Sequence, residues 1–180
     1  ISAVDRSKAE GQRNRAILET LYSCGLRVSE LVNLKLSDLY FDEGFIKVEG
    51  KGSKQRLVPI SPRAINEIKL YFTDRNRIEV KKEYEDFVFV SQRRGKGLSR
   101  IMIFHMIKEL AQTAGIIKNI SPHTFRHSFA THLLEGGANL RAIQCMLGHE
   151  SIATTEIYTH IDRNMLRSEI IEHHPRNIKY

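Results

Sequence analysis

The chain has 180 residues, of which 41% are hydrophobic, so its length and composition suit one compact globular domain and argue against intrinsic disorder. Lysine and arginine number 28 against 21 aspartates and glutamates, and the net charge of +7 favours a polyanionic partner without establishing one. No apolar run reaches membrane-spanning length and no signal peptide is evident, so no membrane partner is expected. Because the first residue is Ile1 rather than methionine, we expect the chain to be a fragment of a longer protein.

The first third of the chain predicts two helices followed by a small sheet. Apolar residues recur at helical spacing over residues 13–24, with Gly25 as the stop, and a second short helix covers residues 27–34. Three β-rich runs follow: LYF at 39–41, FIKVE at 45–49 and RLVPI at 56–60. Turn residues around Gly44 and Gly50 separate these runs, which predicts a three-stranded antiparallel sheet.

The remainder predicts mainly helices. Ser61-Pro62 and Ser121-Pro122 each combine an N-cap with a first-turn proline. Helices are predicted from 62, over 100–114, from 122 to the glycines at 136–137, from Asn139 to Gly148, from Ser151, and over 163–172. Before the helix at 100–114, we expect a polar loop or frayed helix end at 73–86, a short buried strand or extended segment at 87–90 and a basic loop at 92–100. The predicted fold class is α+β, mostly α-helical, with one small antiparallel sheet.

The histidines do not form a convincing zinc site. His123 and His127 are four residues apart on a predicted helix, which is a spacing that zinc ligands use. However, residue 124 is threonine where a zinc hydrolase would place its glutamate base, and Arg126 puts a fixed cation beside the pair. No cysteine pair or carboxylate follows at a familiar ligand spacing, so we expect no metal. His105 and His132 are interpreted as surface or packing residues.

The same helix has the features of an anion site. His123 and Arg126 are three residues apart and share a face near the helix N-terminus, where amide donors and the helix dipole favour phosphate. Arg27, just after Gly25, stands at the start of another helix and could serve in the same way. Taken singly, each of these arginines is more often a solvated or salt-bridged residue.

Two further residues stand where a cleft could use them. His149 follows Gly148 directly, at the turn after a predicted helix end, and Tyr158 lies nine residues later on a short, partly polar helix. A lone tyrosine is more often a packing residue with a hydrogen-bonded hydroxyl, so neither position establishes a function by itself.

Together, the segments GLRVSEL, GKGSKQRLVPI, HTFRHSFATHLL, LGH and TTEIYTH resemble the boxes of the tyrosine recombinases, and most closely the Xer type of site-specific recombinase. The resemblance covers nearly the whole chain, and the five boxes occur in the family's order. The part of the family's pattern that we do not find in this sequence is the N-terminal core-binding domain. We therefore expect residues 1–180 to be a tyrosine recombinase catalytic domain.

The resemblance also implies site residues. Arg27 and Arg126 match the arginines that hold the scissile phosphate, and Tyr158 matches the nucleophile. Lys51 matches the general acid, although Lys54 is close enough to compete for that role. His123 and His149 match two supporting histidines, and Glu30 matches an acidic residue that sets the first arginine. Additional DNA contacts are expected from four basic residues: Lys54, Arg56, Arg93 and Arg94.

The activity implied by the resemblance is site-specific DNA recombination through a covalent 3′-phosphotyrosyl intermediate, without ATP, metal or other cofactor. The Xer resemblance favours chromosome dimer resolution, and integration of a mobile element is the alternative. A type IB topoisomerase would use the same chemistry on one duplex. A catalytically idle DNA-binding module and a zinc hydrolase are disfavoured, since the whole residue set is present and a metal ligand set is not.

The expected partners are double-stranded DNA, a homo- or hetero-tetramer with a partner recombinase, and possibly a DNA translocase. In the resembled family the C-terminal helix docks on a neighbouring protomer. Here Leu166, Ile170 and Ile171 form a short apolar stripe that could dock in this way or fold back on its own domain. Cys24 and Cys145 lie in apolar helical patterns, which indicates buried thiols in a reducing, cytoplasmic compartment.

Overall fold

The computed structural model describes residues 1–148 and 160–177. The helices in these residues are α1 (Gly11–Cys24), α2 (Val28–Val32), α3 (Pro62–Arg75), α4 (Arg100–Thr113), α5 (Pro122–Glu135), α6 (Leu140–Leu147) and α7 (His160–His173). The strands are β1 (Leu39–Tyr40), β2 (Phe45–Glu49) and β3 (Gln55–Pro59). Both neighbouring strand pairs are antiparallel in the order β1-β2-β3, which confirms the predicted fold class and sheet.

Local signals placed most helix ends correctly. The Ser61 side chain accepts the Ala64 N–H at 3.1 Å, so it caps α3 as predicted. Ser99 accepts the Met102 N–H at 3.2 Å and begins α4 in the same way. Gly25 and Gly148 end α1 and α6 with positive φ angles of 64° and 71°, as expected of C-terminal glycines.

The structure decides between alternatives for two predicted elements and corrects the start of a third. α3 continues to Arg75, so residues 73–75 are the end of this helix, which was one of the two alternatives for the segment 73–86. Residues 87–90 join none of the named strands and form isolated bridges, Lys35 to Phe87 and Val90 to Gly97, so of the two alternatives they are the extended segment. The last helix begins at His160, before the predicted start at 163. The helix predicted from Ser151, with Tyr158, lies outside the described residues.

Two hydrophobic clusters meet at α1. The larger one packs α1 and α2 against the sheet, α3 and α4, with Leu21 and Ile46 fully buried. The smaller one joins α5, α6 and α7 around Phe129 and Leu133. The two cysteine side chains are buried, Cys24 in the larger cluster and Cys145 in the smaller, as the sequence predicted.

The C-terminal helix packs on its own domain. Leu166 and Ile170 are buried in the smaller cluster, whereas Ile171, the third residue of the predicted stripe, is 49% exposed. α7 lies against α5, α6 and β3. Of the two arrangements that the sequence left open, this chain has the one in which the tail folds back in cis.

Polar contacts anchor the chain just after α7. His174 is fully buried, and its Nδ1 accepts the Arg176 backbone N–H at 3.2 Å. Nε2 therefore carries the proton and donates to the Tyr22 carbonyl at 3.2 Å. The Arg176 guanidinium donates to Glu19 Oε1 at 2.8 Å, so the tail holds α1 through both an imidazole and an ion pair. Burial raises the pKa of Glu19 despite the nearby arginines.

The anchor predicts a pH-dependent stability. Burial, with smaller effects from His132 and Arg176, lowers the pKa of His174 from 6.5 to about 4. Between these values the unfolded chain binds the additional proton, so the free energy of unfolding falls as pH decreases. We expect His174 alone to lower it by about 2 kcal/mol between pH 7 and pH 5. Urea unfolding of the protein and of His174→Gln at both pH values measures the contribution of His174 to this change in the free energy of unfolding. An equal pH dependence in the two proteins would contradict it.

Candidate active site

A buried carboxylate, Glu30, lies at the centre of the candidate site. α2 begins directly after Arg27, and Glu30 in its first turn accepts the Arg27 backbone N–H at 2.8 Å. This contact places the Arg27 guanidinium over the same carboxylate, with Nη1 3.9 Å from Oε2. The Arg27 side chain is 42% exposed, so it remains accessible to a ligand in solvent.

Arg126 approaches the carboxylate from α5 and is almost completely buried. Its Nη1 donates to the Gly25 carbonyl at 2.6 Å, its Nη2 donates to the Leu147 carbonyl at 2.7 Å, and it lies 4.0 Å from Glu30 Oε1. Burial, followed by the charge of Arg27, lowers the pKa of Arg126 to about 10, against the opposing effect of Glu30. It therefore stays protonated near neutral pH.

Arg56 completes the cluster from β3, and its position corrects a prediction. Its Nη2 donates to Glu30 Oε1 at 3.0 Å, its Nη1 contacts Oε2, and its Nε donates to the Met146 carbonyl at 2.9 Å. The side chain is 7% exposed. The sequence placed Arg56 among the surface contacts to DNA, but its guanidinium is instead buried and occupied by protein acceptors.

The cluster carries an excess of positive charge. Burial raises the pKa of Glu30, but the hydrogen bond and charge of Arg56, aided by the Arg27 N–H and by Arg126, outweigh this and lower it overall. Glu30 is therefore ionised at neutral pH, and three guanidinium groups against one carboxylate leave a net charge of +2. An anion such as a phosphate can pair with this excess charge at the Arg27 side chain, which is the exposed one of the three.

Other predicted site residues lie on elements connected to this cluster. His123 is exposed in the first turn of α5, three residues before Arg126. Lys51 is exposed on the turn between β2 and β3, the strand that carries Arg56. The turn is closed by the Gly50 N–H, which donates to the Lys54 carbonyl at 2.7 Å. Lys54 is exposed on the same turn, so both candidates for the general acid remain.

Of the remaining predicted residues, two lie on another loop and two are not described by the structure. Arg93 and Arg94 are exposed on the loop before α4, where they could meet an extended polyanion beyond the cluster. His149 and Tyr158 lie outside the described residues. The chain leading to them is well held, because the carbonyls of Met146 and Leu147 accept from Arg56 and Arg126 respectively.

The acceptors of the buried arginines were missed at the sequence level. Backbone carbonyls have no sequence signature, so nothing pointed to Gly25 or Leu147. A signal for Arg56 did exist. Arg56 and Val58 are buried while Leu57 between them is less so, which puts a charged residue on the inward face of an alternating strand. Such a position requires a buried partner.

Within residues 1–148 and 160–177, no three histidine, cysteine, aspartate or glutamate side chains are grouped so that they could hold a metal ion. In the same residues, none of the helices combines the length and apolar character needed to cross a membrane. The features that stand out in the described part are therefore the arginine cluster and its carboxylate.

Comparison with known proteins identifies the family of this chain. The family model described as the phage integrase family matches residues 1–165. The chain belongs to the phage integrase family. A curated relative within it, the tyrosine recombinase XerD of Chlorobaculum tepidum, is 51% identical over 164 residues, which cover 91% of this chain and 54% of that protein. The chain thus spans little more than half the length of such relatives.

Solved structures agree with the family assignment. The chain resembles the crystal structure of XerA recombinase with a TM-score of 0.74 and 38% identity, over 99% of this chain and 60% of that one. It also resembles XerH site-specific recombinase bound to difH substrate in a pre-cleavage complex. There the TM-score is 0.71 and the identity 31%, over 88% of this chain and 46% of that one. The family and the fold predicted from the motifs are therefore confirmed.

The close packing around Gly25, whose carbonyl accepts a hydrogen bond from Arg126, gives a test of how the end of α1 packs against α5. Gly25 has a φ of 64°, and a Cβ there would overlap the Phe129 ring. We expect Gly25→Ala to lower the free energy of unfolding by about 2 kcal/mol or more, because left-handed strain and overpacking add. Gly115→Ala is the control, since Gly115 has a φ of 71° but open space around it. Equal losses in denaturant unfolding would refute the packing argument.

Proposed function

We propose that this chain is the catalytic domain of a site-specific recombinase that cuts and rejoins double-stranded DNA through a covalent phosphotyrosine. The observation that carries the proposal is the convergence of Arg27 and Arg126, from distant boxes of the sequence, on the carboxylate of Glu30. Two guanidinium groups held beside each other can bind the oxygens of one phosphodiester. The resemblance to a recombinase bound to its DNA substrate supports the same substrate class.

The proposed cleavage step balances without a cofactor. The Tyr158 hydroxyl oxygen attacks the scissile phosphorus, the bond from phosphorus to the 5′ oxygen breaks, and a 3′-phosphotyrosine forms. Arg27 and Arg126 stabilise the charge that builds on the non-bridging oxygens. Lys51 gives a proton to the leaving 5′ oxygen, and a histidine of the pair His123 and His149 accepts the phenol proton. Attack by another strand's 5′ hydroxyl reverses the step, so neither ATP nor metal is required.

The identity to XerD relatives favours a Xer-type role, resolution of chromosome dimers, over integration of a mobile element. In this proposal the protein acts in the cytoplasm as a homo- or hetero-tetramer on DNA, with a DNA translocase as a further partner. Exchange of the tail between protomers would require α7 to leave the site where Leu166 and Ile170 are buried in cis. Lys54, Arg93 and Arg94 would contact the DNA backbone.

The nucleophile can be tested by trapping. The substrate is a nicked suicide duplex, whose sequence is selected from a pool of duplexes with a randomised core. On cleavage, the short fragment between the cut and the nick diffuses away, so the strand cannot be religated. We expect the protein to form an adduct that is stable on a denaturing gel. Tyr158→Phe should form none while binding DNA nearly as well, since it loses one oxygen and no positive charge. An adduct at the normal level from Tyr158→Phe would disprove the assignment.

The general acid can be tested with an altered leaving group. A 5′-bridging phosphorothiolate leaves as a thiolate and does not need a proton. Lys51→Ala should therefore cleave ordinary DNA at least about 10²-fold more slowly, and should recover on the phosphorothiolate substrate. Lys54→Ala is the matched control from the same turn. Selective recovery by Lys54→Ala instead of Lys51→Ala would transfer the role to Lys54.

A further inference from the structure

Arg56 is the best-bonded charged side chain of the cluster, yet its guanidinium lies among protein acceptors rather than at the exposed surface. It joins three separate parts of the chain: its own strand β3, Glu30 at the start of α2, and the Met146 carbonyl in the last turn of α6. Gly148 packs directly against it, since a Cβ at that glycine would lie 2.9 Å from Arg56 Nη1. All three parts connect to residues of the proposed site.

Its effect on Glu30 is the important one. Arg56 contacts both carboxylate oxygens of Glu30, whereas Arg27 and Arg126 lie 3.9 and 4.0 Å away. Without Arg56, a buried carboxylate would keep its charge only by drawing closer to the two remaining arginines. Those arginines would then be paired with a protein carboxylate that competes with the DNA phosphate for the same donors.

We propose that Arg56 is a positioning residue that occupies Glu30 and thereby keeps Arg27 and Arg126 available to the phosphate. The inference rests on the proposed function, because it concerns the phosphate of that reaction. The same guanidinium fixes the last turn of α6 against β3, the strand that follows the Lys51 turn. Arg56 contacts no substrate in this role and acts through its neighbours.

The role demands the shape of arginine as well as its charge. One guanidinium reaches a carboxylate and a carbonyl on different elements through separate N–H groups, whereas a lysine ammonium is a single point of contact. Arg56→Lys should therefore recover only part of the activity lost in Arg56→Met. A role limited to bulk positive charge would give full recovery.

The decisive experiment combines Arg56→Met with Glu30→Gln. If Arg56 acts by occupying the carboxylate, removing that charge should restore activity even though Arg56 is missing. Glutamine keeps an oxygen for the Arg27 N–H, so the start of α2 is preserved. We expect Arg56→Met to slow covalent adduct formation on the suicide duplex at saturating DNA by about 10²-fold, and the double variant to regain at least about tenfold.

Arg75→Met is the matched control. Arg75 is another buried arginine whose guanidinium donates to backbone carbonyls, those of Glu85 and Phe87, away from the cluster. The Arg75→Met substitution should lower the melting temperature, while the folded variant cleaves DNA at the normal rate. Rates are compared well below each melting temperature, and if Arg56→Met does not fold, Arg56→Lys with and without Glu30→Gln carries the test.

The outcomes separate the two proposals. No adduct from the unaltered protein would overturn the recombinase function itself. A normal adduct rate from Arg56→Met, or a double variant as slow as the single one, would overturn the positioning role while leaving the function in place. Restoration of activity by Glu30→Gln supports the positioning role of Arg56. If Arg56→Met only damaged the structure, Glu30→Gln would lower the activity further instead of restoring it.

Discussion

The ionised, buried carboxylate of Glu30 is the interaction on which the site depends. Three arginines from α2's N-terminus, β3 and α5 lie within ion-pair distance of it, and each belongs to a different part of the sequence. A buried charge that lost its partners would cost several kcal/mol. The position of each element around the carboxylate is therefore constrained by the others, and the result is a largely buried cationic cluster that reaches the surface at Arg27.

Helix ends supply the second constraint. Arg126 donates to the carbonyl of Gly25, just after α1, and to that of Leu147 at the end of α6, while Arg56 donates to Met146 in the same last turn. The last carbonyls of a helix have no partner within it and carry the negative end of its dipole. Guanidinium groups satisfy them, so each arginine both closes a helix and is oriented by it.

α1 connects this arrangement to the C-terminal tail. Its end holds Arg126 through the Gly25 carbonyl, and its middle holds Arg176 through Glu19. Glu19 is fully buried, and its Oε2 has no hydrogen-bond partner in the described part of the chain. Removal of the tail from its position in cis would take Arg176 away from this acid. Among the described residues outside α1, Arg63 would then remain as its ion-pair partner, at 3.7 Å. The tail and the site therefore share one helix as their support.

The sequence by itself determined the elements whose causes are local. Serine caps, first-turn prolines and stop glycines placed most helix ends, and alternating β-branched runs placed the sheet, because these signals act within a few residues of one another. The ordered boxes also identified the family and the residues to examine. Only the tertiary structure decided that Arg56 is buried and shares Glu30 with Arg27 and Arg126, and that residues 87–90 form bridges rather than a sheet strand. These outcomes depend on which distant segments pack together, and on which partners the buried charges and backbone carbonyls meet there. No local sequence pattern encodes such long-range contacts.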